Sequence, residues 1–97
     1  MRQITEEAIE CFDNRESFKK DNTEVIVSGQ VIELRLFGNM IARKTGEKVE
    51  VTTAGWDTVT TRERLNGLRG VDVHRSRGTL FLNGSEWDGE LVEVDCG

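Results

Sequence analysis

The sequence predicts an α+β fold, small antiparallel β-meanders with two short helices, and three observations carry that prediction. Apolar residues recur at helical spacing near the start of the chain and switch to strict alternation from Thr23 onward. Turn pairs containing glycine separate the alternating stretches, as hairpins require. A threonine-led capping signal then restarts a helix midway. Ninety-seven residues are enough for one domain, 1–97, with no room for a second.

The first element is an amphipathic helix. Thr5 can cap it, Glu6 and Glu7 complement the positive end of the helix dipole, and Ile4, Ala8, Cys11 and Phe12 share one face. Asp13-Asn14 stops it, Phe18 packs back as an anchor, and Lys19-Lys20-Asp21-Asn22 reads as a polar loop. Val25 and Val27 then alternate with Glu24 and Ile26 as a strand, and Ser28-Gly29-Gln30 turns the chain. Ile32, Leu34 and Leu36 alternate with Glu33 and Arg35, the strongest strand pattern present. Gly38-Asn39 connects to a returning strand at Met40–Arg43, and a turn at Lys44–Glu47 leads to Val49 and Val51.

A capping box places Thr60 at the N-cap and Glu63 three residues later, giving a short helix over 61–67. Leu65 and Leu68 anchor it, and Gly67 suits a left-handed C-terminal cap. Val71 and Val73, a turn at Ser76–Gly78, Leu80 and Leu82, and the hairpin pair Asn83-Gly84 follow. Trp87, Leu91, Glu93 and Asp95 suggest a final strand. The halves echo each other at a spacing of 46 residues (Val25 with Val71, Leu36 with Leu82, Gly38 with Gly84), which fits a pseudo-repeat over 5–53 and 58–95 or, equally, the way any two meanders of alternating Val and Leu align.

Composition narrows the function classes. The net charge of −5 argues against a general nucleic-acid binder, which usually carries a basic surplus. No apolar run approaches a membrane span, and the start does not resemble a signal peptide, so a cytosolic protein is expected. Cys11 and Cys96 stand 85 positions apart with no closer partner, which fits free thiols better than a disulfide framework or a metal site. His74, the only histidine, has no nucleophile or paired carboxylate at a motif spacing, and neither catalysis nor a cofactor is expected.

Charge is unevenly distributed. Glu86, Asp88, Glu90, Glu93 and Asp95 form an acidic run with no basic residue, and Trp87 sits within it. Arg62, Arg64, Arg69, Arg75 and Arg77 outnumber Glu63 and Asp72 in the preceding segment. Such separation can steer a complementary partner, or it can be ordinary solvated surface. Thr60, Thr61, Arg62 and Arg64 also compose a candidate anion site at a helix start. Trp56 and Trp87 are read first as core lids and second as interface anchors.

Three runs, Leu36–Ala42, Ala54-Gly55-Trp56 with Thr60–Asn66, and Leu82–Gly89, together with the opening Met1–Thr5, resemble a group of short tailed-bacteriophage accessory proteins. The resemblance covers nearly the whole chain and implies expression in the host cytoplasm, outside the virion. Small phage proteins of this kind often block a host system, CRISPR included. The expected function is therefore stoichiometric binding and inhibition of a bacterial defence or regulatory complex, through Glu86, Trp87, Asp88, Glu90 and Glu93. The alternative is a sponge for nucleotides or other small anions at Thr60–Arg64. An unpaired edge strand would give a homodimer a route.

Overall fold

Helix α1 (Gln3–Asn14) turns Thr5, Ala8, Ile9 and Phe12 into the protein interior, and Ile4 and Cys11 lie half-buried beside them. Its end is held by Arg15 at φ 60°, and the Glu16 N–H donates to the Cys11 carbonyl at 2.8 Å, the long-range bond of a Schellman cap. Five strands follow: β1 (Phe18–Lys20), β2 (Thr23–Ser28), β3 (Val31–Leu36), β4 (Asn39–Thr45) and β5 (Lys48–Val51). After helix α2 (Val59–Leu65) come β6 (Val73–Ser76), β7 (Thr79–Leu82), β8 (Ser85–Glu86) and β9 (Val92–Val94). The structure, a computed structural model, describes residues 3–55 and 58–94, so Trp56, Asp95 and Cys96 lie outside the described residues.

The strands form a six-stranded sheet in the order β1-β2-β3-β4-β5-β9 and a three-stranded sheet β6-β7-β8. All pairings are antiparallel. Val25, Ile32, Leu34, Leu36, Ala42, Val49 and Val51 from the large sheet and Val71, Val73 and Leu80 near the small one join the helices in one apolar core. Each fully buried Leu, Ile or Phe contributes about 1.5–3 kcal/mol. The α+β class with antiparallel sheets and two short helices is the one the residue pattern predicts.

Several local expectations need correction. Lys19 and Lys20 are not in a loop but in β1, whose register is Phe18 with Val25 and Lys20 with Thr23. Three residues are too few to show alternation, and lysines are the usual protection of a sheet edge. The turn after β3 is Phe37-Gly38, one residue earlier than expected, with φ of 52° and 80° and Leu36 facing Asn39 across it. The final strand is interrupted: β8 ends at Glu86, and β9 leaves the small sheet to pair with β5. Within β4 the register shifts, so that Ala42 faces Leu34 while Met40 faces Arg35. Ile41 is the extra residue of this bulge, and it is buried together with its neighbour Ala42.

The helix signals were also displaced. Thr5 does not cap α1; it lies inside the helix, fully buried. The N-cap of α2 is Thr58, whose Oγ1 accepts from the Thr61 N–H at 3.1 Å, so Thr60 and Glu63 form no capping box. Gly67 is not a left-handed cap, since a positive φ is found at Gly70 and not at Gly67. Gly67 instead permits close approach to α1, where an added Cβ would stand 2.7 Å from Thr5 Cγ2 and 2.9 Å from Ile9 Cγ1. Thr58→Ala should cost about 1 kcal/mol in urea unfolding, and Thr60→Ala well under half of that. The reverse ranking would restore Thr60 as the cap.

Candidate functional site

The acidic run becomes a braced loop between the two sheets. Trp87 continues the β7–β8 pairing, its N–H donating to the Leu80 carbonyl at 3.0 Å, and its ring packs half-buried against the core. The indole Nε1 donates to the Glu90 carbonyl at 2.9 Å, and the Glu90 N–H donates to Asp88 Oδ1 at 2.9 Å. Between them Gly89, buried at φ 87°, presents a carbonyl that accepts from the Thr53 N–H at 2.9 Å and from Thr52 Oγ1 at 2.7 Å. With its backbone clasped and its tryptophan seated, the loop turns Glu86, Asp88 and Glu90 outward, and Glu93 follows on β9, all exposed. Trp87 is thus the support of the acidic set, half-buried beneath exposed carboxylates.

The other candidate set is divided by the fold. Thr61 and Arg64 are fully buried, whereas Thr60 and Arg62 are half-buried. Arg64 Nε donates to Thr23 Oγ1 at 3.0 Å and Nη1 donates to Thr5 Oγ1 at 2.8 Å and to the Glu63 carboxylate. The Thr5 hydroxyl donates in turn to Glu63. Arg64 therefore pins α2 to α1 and β2 from inside, with its donors directed at protein acceptors. An anion at the start of α2 would not meet it.

A feature the residue pattern did not reveal adjoins the acidic loop. Leu36, Phe37, Ile41, Thr53, Thr58 and Thr61 line a pocket of about 470 Å³. The β4 bulge brings Ile41 inward, and Thr53 is shared, lining the pocket and bonding to Gly89. At the rim Phe37 is 70% exposed. These residues come from three separate segments, the β3–β4 hairpin, Thr53 and the start of α2, so no short sequence window contains them. The one local signal was Phe-Gly between two alternating runs, which marks an aromatic at a hairpin tip.

Elsewhere the charges are neutralised locally. On the sheet face opposite the core, Arg43 bonds Glu50 at 2.8 Å and Arg35 bonds Glu33 at 2.7 Å. The Arg43 hydrogen bond holds the Glu50 carboxyl below its ordinary range, against a weaker opposing push from desolvation. Burial, then the carboxylates of Glu16, Glu10 and Glu7, push the Cys11 thiol up, which keeps it protonated and a poor nucleophile. His74 is exposed and stacks on Phe81, ring centroids 5.2 Å apart. Among the described residues no cluster of three or more His, Cys, Asp or Glu could hold a metal ion, and no helix is long and apolar enough to cross a membrane.

Comparison with known proteins gives one family. The family described as Kyanoviridae Gp96 protein matches residues 1–93. No curated protein and no solved structure matches the chain.

Proposed function

The chain belongs to the Kyanoviridae Gp96 protein family, a phage protein family, and from that premise we propose that this phage-encoded accessory protein binds and blocks a bacterial defence or regulatory complex. It acts in the host cytoplasm, without catalysis, by stoichiometric contact in the manner of anti-CRISPR proteins. One observation carries the reading: three exposed carboxylates, Glu86 ending β8 and Asp88 and Glu90 on the loop after it, whose backbone is already fixed by the Gly89 clasp and the Trp87 anchor. A braced loop loses little entropy on binding, and a cluster of one charge sign accelerates encounter with a basic surface. Basic surfaces are what nucleic-acid-processing machinery presents.

The test keeps the loop and reverses its field. Asp88 becomes Asn so that an acceptor for the Glu90 N–H survives, while Glu86 and Glu90 become Lys. The tagged triple variant should lose the stoichiometric host partner that wild type recovers from lysate, with its thermal midpoint nearly unchanged. Association at low salt should slow by about tenfold or more. Arg77→Glu, a reversal on the small sheet's hairpin, should keep the partner. Retention of the partner by the triple variant, or absence of any partner at both low and high salt, would sink the reading.

A further inference from the structure

Phe37 occupies a position that its side chain does not suit. It is the first residue of a two-residue hairpin turn at φ 52°, where a bulky L-residue is a backbone outlier and Asn or Gly is the usual occupant. The two turns of the small sheet hold the same conformation with Arg77-Gly78, at 52° and 82°, and Asn83-Gly84, at 51° and 87°, so an aromatic is what sets Phe37 apart. Burial does not explain Phe37 either, since most of its ring is in solvent. An aromatic that strains the backbone and scarcely serves the core points to recognition.

We propose that the pocket behind Phe37 receives a protein segment carrying one large apolar side chain flanked by lysine or arginine, and that Phe37 is its main contact residue. The inference deepens the proposed function and rests on its assignment of the acidic loop. The pocket supplies the apolar anchor point, with Leu36 and Ile41 in its wall and Phe37 at its margin. Thr53 joins that wall to the loop bearing Glu86, Asp88 and Glu90, so the flanking charge must be positive. An apolar centre bordered by a charged rim is the usual anatomy of a binding hot spot. A second copy of this chain is disfavoured, because it would bring the same negative loop and a net charge of −5. A small apolar ligand would leave both the exposed ring and the adjoining carboxylates unused.

A random 16-residue peptide library displayed against the wild-type protein tests this. Selected peptides should combine a Leu, Met or aromatic residue with neighbouring Lys or Arg, and their binding should perturb the backbone resonances of Ile41, Thr53 and Thr58. Phe37→Asn fits the turn better, so its thermal midpoint should match or exceed wild type while a selected peptide binds about 30-fold more weakly. The charge-reversed triple variant should bind the same peptide more slowly and with a weaker salt dependence. Peptides without basic residues, resonance changes confined to another face, or Phe37→Asn binding as tightly as wild type would overturn the proposal. So would concentration-dependent dimerisation through this face, or an apolar dye filling the pocket when no basic peptide is selected. If the triple variant loses the host partner and Phe37→Asn keeps it, the pocket assignment fails and the acidic-loop reading stands. If both keep it, the acidic-loop reading fails.

Discussion

Arg64→Ala should remove a large share of the protein's stability, about 3–5 kcal/mol. Arg64 is 2% exposed, and its guanidinium serves Thr5, Thr23 and Glu63 together. Truncation leaves a cavity where the side chain ran and takes one hydrogen bond each from the Glu63 carboxylate, the Thr5 hydroxyl and the Thr23 hydroxyl. Breaking a buried pair by removing one member costs about 3–5 kcal/mol, and a domain of this size holds only about 5–10 kcal/mol in total. Arg64→Lys keeps the charge but loses the planar fork, and should cost less, about 1.5–3 kcal/mol. Joint replacement, Arg64→Met with Glu63→Gln, removes both charges and roughly preserves volume. It should recover part of the loss, giving a coupling energy of about 1–3 kcal/mol in a double-mutant cycle followed by urea unfolding. An Arg64→Ala variant within about 1 kcal/mol of wild type would show that the pin contributes little.

Gly89→Val should be nearly as damaging, for a different reason. At φ 87° a β-branched residue is a strong outlier, and a Cβ there would collide with Thr53 Oγ1. Neither group can easily give, since Thr53 is itself buried and its N–H donates to Gly89. Backbone strain of this kind costs about 1–3 kcal/mol, and overpacking adds about 1–3 kcal/mol more. The damage should also be local. Amide exchange ought to rise first at Thr53, Glu90 and the β5–β9 pairing, while the β2–β3 hairpin stays protected. Uniform loss of protection would mean that the clasp is not a separable unit.

How much of this could be read from the residues depended on the range of the interaction. Alternation in Ile32, Leu34 and Leu36 was legible because every second side chain faces one core, and all three are buried. Asn83-Gly84 was legible because the turn chemistry is contained in two residues. Phe37-Gly38 was displaced by one position because an aromatic is a poor occupant of the left-handed region. Thr5 and Thr60 both look like caps in isolation. Only the fold shows that Thr5 is committed to a cation 59 positions away. For the candidate site, the carboxylates were visible as a run, whereas the Gly89 clasp, which gives the run its shape, joins residues 36 or 37 positions apart. The pocket was not legible, since a bulge, a turn tip and two threonine-bearing loops have no common pattern.

The pairing of β9 with β5 has a consequence for how the protein is made. Val49, Glu50 and Val51 face Val94, Glu93 and Val92, so the large sheet gains its sixth strand from a segment that leaves the ribosome more than forty residues after its neighbour. Until then a nascent chain presents β5, with Val49 and Val51, as an open apolar border beside the finished part of the sheet. Where several ribosomes translate the same message close together, that border is where neighbouring nascent chains would pair by mistake.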